Sequence, residues 1–370
     1  MTTFSGTKRQ RLIGELGERG RGPLLVAIGS IHGNEPAGTS ALDRLFETLE
    51  RESPAVNGRI VGLVGNRRAL DRRTRFIERD LNRVWRDNGQ PEIPEGSPER
   101  LEHRELADKI ETELAAARGK VAFIDLHSTS AEGPPFSVIS DSLANRDLAM
   151  ELGIPVVLGL EESIQGSLLS YLGERGYVAV GVEGGQHDDP LTVDYHEAAL
   201  WVALDSMGIV RVEESRLRDM RLRLSRASED LPEVVELVYR HRIEDEESFE
   251  MAAPFRGFDR IRKGELLAYE AAEPLTAPRD GVIMLPRYQR LGDDGYFIAR
   301  PIRPVWLGIS TVLRRTPIHR LLPLLPKIRR DPLEKGTLLI RRDPLHRLAV
   351  MAMHLLGYRR WPDRDGELVF

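Results

Sequence analysis

The stretch Leu24-Leu25-Val26-Ala27-Ile28-Gly29-Ser30-Ile31-His32-Gly33-Asn34-Glu35 decides how this chain is read. Its first eight residues are, all but Gly29, apolar or Ser, and such a run reads as a buried strand. It then breaks into Gly-bearing sequence that carries a His and an acid three positions apart. In open α/β sheets ligands bind outside the carboxyl ends of the strands, so this strand delivers His32 and Glu35 to such a place. An imidazole nitrogen and a carboxylate oxygen brought together by a tight turn are two of the three protein ligands that a catalytic zinc takes. A single H-x-x-E is a common pattern, so a third ligand has to come from elsewhere.

Composition narrows the field. The chain has 370 residues, 41% of them hydrophobic, which is enough for two domains with real cores. A net charge of −5 offers no general attraction to nucleic acid or to an anionic membrane surface, and neither is expected as a partner. There is no Cys, so any metal must sit on His, Asp or Glu. The polar N-terminal stretch has no apolar segment of the signal-peptide kind, and no apolar run reaches membrane-spanning length; a cytoplasmic protein is expected.

Outward from the opening stretch, Ala41, Leu42, Leu45, Phe46 and Leu49 recur at helical spacing after Pro36. A second strand, Arg59 to Val64, leads into an Arg-rich passage ending Thr74-Arg75-Phe76-Ile77-Glu78-Arg79-Asp80-Leu81-Asn82-Arg83, whose charge suits anion recognition. Arg83 beside Asn82 is its most pointed pair, since a planar guanidinium with an adjacent amide can orient a carboxylate. A loop is expected over 89–98 and a helix over 99–118. The apolar run Val121-Ala122-Phe123-Ile124-Asp125-Leu126 then ends in His127-Ser128, the natural third metal ligand. Asp125, on the same strand face as His127, could accept a hydrogen bond that orients the imidazole.

Further strands are expected at 136–140, 155–159 and 177–183. The last delivers Glu183 into Gly184-Gly185, where a carboxylate beside glycines suits general-base work. His187 and His196 read as structural or surface residues. A helix over 193–207 closes a first domain, 1–212, and 213–231 reads as a linker or peripheral helix. From 232 to 310 short strand-like runs alternate with turn signals, giving a small all-β domain. The extension 311–370 carries no readable role.

In order, H-x-x-E, R-x-x-x-x-D-L-N-R, D-L-H-S and V-E-G-G, each after a strand, resemble the succinylglutamate desuccinylase/aspartoacylase family, a branch of the zinc-carboxypeptidase-like hydrolases. The four motifs span residues 24 to about 190. The resemblance implies an α/β fold: a three-layer αβα sandwich with a mixed sheet, followed by the smaller β domain. It implies one Zn²⁺ per chain on His32, Glu35 and His127, with Glu183 as general base and Arg75 polarising the scissile carbonyl. It also implies that Asn82 and Arg83 bind the α-carboxylate of a small N-acyl amino acid, whose acyl group, succinyl, acetyl or similar, is released. A homo-oligomer is compatible with it.

The chain departs from the family pattern in two places. Members acting on acylated acidic amino acids carry an additional Arg shortly before the general base, a place that falls here near Gly173, with Arg175 close by. They also carry a substrate-contacting Tyr in the β domain, for which Tyr288 and Tyr296 are the candidates. Two alternatives remain at this point: a zinc carboxypeptidase acting on short peptides, and a non-catalytic metal-binding protein of the same fold.

Overall fold

The computed structural model describes residues 9–85, 93–164, 166–289, 291–324, 328–331, 337–341, 346–358, 361–364 and 367–370. Of the loop expected over 89–98, residues 89–92 lie outside the described residues. The chain divides into two compact units, residues 1–140 with 144–300, and residues 141–143 with 301–370.

The first unit is built on a long mixed sheet. Its strands are β1 (Leu12–Gly17), β2 (Leu24–Gly29), β3 (Arg59–Val64), β4 (Val121–Thr129), β5 (Phe136–Ile139), β6 (Val156–Leu158), β7 (Val178–Gln186) and β8 (Val234–Arg242). The spatial order β1-β3-β2-β4-β7-β5-β6-β8 makes β2, β3, β4 and β7 parallel neighbours at the centre. Every residue of β2 and β3 is buried, because helices cover both faces of a parallel sheet. Alternation along β2 sends Leu24, Val26 and Ile28 to one side. There they meet Leu106 and Ile110 of α3 (Pro98–Ala116) and Leu168 and Leu172 of α6 (Leu168–Glu174).

On the other side lie α1 (Ala37–Glu52) and α7 (Pro190–Ser206), packed on each other, with α8 (Glu214–Ala227) against α7. The predicted stripe of α1 is buried at Ala41, Leu42, Leu45 and Leu49. The ring of Phe46 fits because β3 carries glycine beneath it: a Cβ on Gly62 would stand 2.4 Å from the ring. Three short helices complete the connections, α2 (Arg67–Arg72), α4 (Leu143–Glu151) and α5 (Leu160–Ser163).

Beyond β8 the same sheet continues through β14 (Asp294–Pro301), β13 (Gly281–Met284) and β10 (Arg260–Ile261). The strands β9 (Glu250–Met251), β11 (Leu266–Glu270) and β12 (Glu273–Thr276) form a separate three-stranded sheet. Ile243, Phe249, Ile261, Leu267, Tyr296 and Ile298 fill the core of this β-rich region. The second unit contains α9 (Pro304–Arg314), α10 (His346–Leu355) and a four-stranded sheet of β15 (Ile328–Arg330), β16 (Leu338–Arg341), β17 (Trp361–Arg364) and β18 (Glu367–Val369). It has a core of its own around Leu338, Ile340, Met353, Leu368 and Phe370. No helix among the described residues is long and apolar enough to cross a membrane.

Candidate active site

Two parallel strands and one tight turn assemble the centre. β2 ends at Gly29, and Ser30 turns the chain with a left-handed φ of 57°. The next residues are pressed against α2: a Cβ on Gly33 would lie 2.0 Å from the carbonyl carbon of Ala69, so only glycine lets the turn pass. Beside β2, β4 pairs Leu126 with Gly29, which puts the following residue, His127, at the level of the turn. His32 Nδ1 then lies 2.9 Å from Glu35 Oε1, and His127 Nδ1 lies 3.1 Å from Glu35 Oε2. Ligand atoms of these three buried side chains all fall within 4.8 Å of one another.

A second layer of acids holds both imidazoles. His127 Nε2 lies 2.9 Å from Asp125 Oδ2, as the strand alternation suggested, and His32 Nε2 lies 3.1 Å from Asp80 Oδ1. With a metal bound, a proton held on each Nε2 by its acid would leave both Nδ1 atoms to coordinate beside Glu35, which is how ligand histidines are oriented. Burial by itself would raise the Glu35 carboxyl, but His32 and His127 hold it well below the usual carboxylate range. Burial likewise disfavours a charged His127, and the acids Asp125 and Glu35 override it, raising its pKa well above the ordinary value. The backbone N–H of Ser128 donates to Glu35 Oε2 at 3.1 Å. Two imidazoles and a carboxylate backed in this way could hold a metal ion.

Glu183 pairs in register with His127 across β4 and β7, so its carboxyl opens into the same cleft. Its Oε2 is buried without a hydrogen-bond partner, and burial, with a contribution from Glu35, pushes its pKa up to about 7 against the opposing pull of His127. Arg75 also reaches the cleft, held by Asp80 Oδ2 at 3.2 Å and by Glu35 Oε1 at 3.4 Å. Asp80 is therefore the residue that sequence reasoning passed over. It lay within the quoted R-x-x-x-x-D-L-N-R motif, but nothing local revealed that one carboxylate would serve both His32 and Arg75.

Asn82 and Arg83 line the cleft as well. Asn82 Oδ1 accepts from the Leu168 N–H at 2.9 Å, leaving its amide nitrogen as the donor. Arg83 Nη2 donates to Asp294 Oδ2 at 3.0 Å, a contact made across 211 residues and invisible in the local sequence. Of the two histidines read as structural or surface residues, His196 is buried beneath the centre, its Nε2 on the His127 carbonyl at 2.8 Å. The other, His187, is half-buried, with its Nδ1 2.8 Å from Ser128 Oγ.

Neither of the two candidate tyrosines, Tyr288 and Tyr296, lies on the cleft wall. Phe297 of β14 faces the cleft, so its neighbour Tyr296 faces the other side of the sheet. There Tyr296 stacks on His241 with ring centroids 5.2 Å apart. Tyr288 is exposed, its hydroxyl donating to the Ala253 carbonyl at 2.7 Å. The β-rich region contributes Leu285, Arg287, Gln289 and Asp294 instead. Arg175 is bound to Glu111 and Tyr171, away from the wall.

Residues 21–200 match the family model of the succinylglutamate desuccinylase/aspartoacylase catalytic domain. A succinylglutamate desuccinylase from Pseudomonas fluorescens is 42% identical over 74 residues, 20% of this chain and 21% of that protein. One from Shewanella woodyi is 31% identical over 112 residues, 29% of this chain and 32% of that protein. The chain thus matches between a fifth and a third of the length of these relatives. Among solved structures, a succinylglutamate desuccinylase from Vibrio parahaemolyticus superposes with TM-score 0.58 at 16% identity, covering 78% of this chain and 84% of that one. A succinylglutamate desuccinylase/aspartoacylase from Rhodobacter sphaeroides gives TM-score 0.57 at 20% identity, over 77% and 88% of the two chains. These likenesses show the fold, a mixed α/β sheet with flanking helices. With the motif residues gathered in one cleft and the family model aligned over them, residues 21–200 of this chain are similar to the catalytic domain of the succinylglutamate desuccinylase/aspartoacylase family.

Proposed function

We propose that the protein is a zinc-dependent amidohydrolase that removes the acyl group from a small N-acyl amino acid. The observation that carries this reading is the buried, unpartnered Oε2 of Glu183 in the same cleft as the His32, Glu35 and His127 cluster. A protein that only bound a metal would have no use for such an acid. The donor set fits zinc: two imidazoles and one carboxylate leave a fourth tetrahedral position open. Zinc held there would supply Lewis acidity and a lowered pKa for water.

The chain's own residues supply the rest. Glu183, with its pKa pushed up to about 7, is poised to accept the proton of the attacking water and to return it to the leaving amine. Arg75, fixed by Asp80 and Glu35, donates to the carbonyl oxygen as charge develops on it. Asn82 Nδ2 and the remaining N–H groups of Arg83 hold the α-carboxylate, so that part of the barrier is met by orientation. The cleft carries Asn82 and Arg83 beside the His32, Glu35 and His127 cluster, an arrangement that suits a small ligand with one carboxylate. Assaying N-acyl amino acids against short peptides tests it. Chelation should abolish hydrolysis and zinc should restore it, while Glu183→Gln should keep the metal and lose about 10²- to 10⁴-fold in kcat. Turnover surviving complete metal removal, or a near-normal Glu183→Gln rate, would overturn it.

A further inference from the structure

The cleft wall divides by chemistry, and the division bears on which substrate fits. Its three arginines are already engaged. Arg75 pairs with Asp80 and Glu35, and Arg83 with Asp294, which Arg240 holds from behind. Arg287 turns its guanidinium into the protein, donating to the carbonyls of Gly292 at 2.7 Å and Glu246 at 3.0 Å, over the ring of Phe249. No lysine is found among the described residues of the wall. The hydroxyls of Ser167 and Ser170, also on the wall, are 2.8 Å apart and bond to each other.

Thr129, Ser130, Ser140 and Gln289 add polar groups, but one face of the wall is apolar: Val138, Leu160, Ile164, Leu169, Leu285 and Phe297. All but Leu169 belong to a single hydrophobic cluster. Beside the general base the floor is hydrocarbon too. Gly181 lies two residues before Glu183 on the same strand face, and Leu169 covers it so closely that a Cβ there would stand 2.8 Å from Leu169 Cδ1.

We infer that this face takes an apolar group, so that the substrate is an N-acyl amino acid whose side chain or acyl group is aliphatic or aromatic, not one bearing a second carboxylate. The inference rests on the amidohydrolase reading above. One carboxylate can be served by Asn82 Nδ2 and the spare donors of Arg83. A second carboxylate placed on the apolar face would lie against hydrocarbon, with Arg83 given to the first carboxylate, Arg75 to the reacting carbonyl and Arg287 bound to backbone carbonyls, so it would lose hydration without gaining a counter-charge. An alkyl or aryl group would instead bury apolar surface.

The test uses four compounds: N-acetyl-L-leucine, N-hexanoyl-glycine, N-acetyl-L-aspartate and N-succinyl-glycine. Each is assayed for turnover with zinc-loaded protein and titrated calorimetrically into zinc-loaded Glu183→Gln protein. At least one apolar compound should bind about tenfold or more tightly than its acidic counterpart. The stronger of the two apolar compounds shows whether the side chain or the acyl group occupies the face. Leu169→Ala should narrow that preference; the comparison across ligands in the parent protein stands whether or not this variant folds. Equal or tighter binding of the acidic compounds overturns the inference, as does failure of all four to bind. Preserved binding order without turnover by the parent protein would remove the hydrolase reading and leave the ligand class standing.

Discussion

Replacing Asp80 by Asn isolates the contact that couples His32 of the candidate metal cluster to Arg75, the arginine proposed to meet the carbonyl oxygen. Asp80 Oδ1 accepts from His32 Nε2 at 3.1 Å and from the Asn82 N–H at 2.8 Å, while Oδ2 accepts from Arg75 at 3.2 and 3.3 Å. Burial would raise this carboxyl, but His32, Arg75 and Arg83 keep it well below the usual carboxylate range. Asn has nearly the same shape and can keep the first two bonds through its carbonyl oxygen, but it turns an NH₂ toward Arg75. Losing the charged partner of a ligand histidine lowers metal affinity about 10- to 100-fold, which corresponds to about 1.4–2.7 kcal/mol. Because Arg75 loses its main anchor in the same step, kcat at saturating zinc should fall as well. Asp125→Asn is the control: it touches His127 alone, so affinity should fall comparably with a smaller effect on saturated turnover. Zinc affinity is read by competition with a chromophoric chelator, and kcat on the best substrate of the four-compound panel. An Asp80→Asn protein within about threefold of the parent in both quantities would refute the coupling.

Other parts of the fold give sharp outcomes. Gly33→Ala must displace backbone atoms of Ala69 and Leu70, so it should cost about 1–3 kcal/mol in chemical denaturation and weaken zinc binding. Gly308→Ala, in α9 with nothing near the added methyl, should be neutral or stabilising by up to about 1 kcal/mol, and equal behaviour of the two would discount the close approach. Glu113→Ala strands the buried Arg59, whose Nε now donates to Glu113 at 2.8 Å, and should destabilise by about 3–5 kcal/mol; a loss under about 1 kcal/mol would show that Glu15 alone satisfies it. His103, packed against Trp85 at 4.3 Å, has its pKa pushed down to about 4, chiefly by burial and further by Arg100. It therefore stays neutral in the folded protein while the unfolded chain takes up a proton below about pH 6.5. Its contribution is complete above that pH, is lost as pH falls toward 4, and levels off below. Between pH 7 and 4.5 the parent should lose about 2 kcal/mol more stability than His103→Phe, after allowing for partial exposure of the ring. Parallel pH dependence of the two proteins would contradict this.

Much of the centre was legible because its signals are local. The apolar runs of β2, β3, β4 and β7 are buried strands with few alternatives, and three of them lead into the residues gathered in the cleft: His32 and Glu35 after β2, His127 on β4 and Glu183 on β7. Parallel neighbours in one sheet bring their ends to one level, so the residues of the candidate cluster could be found where the apolar runs give way to polar ones. Asp125 could be placed by alternation alone. The short strands beyond residue 232 gave their existence but not their partners. Only the folded chain shows β8, β14, β13 and β10 extending the central sheet, and only there does Tyr296 turn its back on the cleft. The contacts of Asp294 with Arg83, of Asp80 with His32, and of Leu169 with Gly181 likewise join side chains far apart in the sequence. Local propensity and periodicity set which face each residue presents. Which distant residue stands opposite, and hence how the cleft divides between bound charge and bare hydrocarbon, was decided by the packing of the whole sheet.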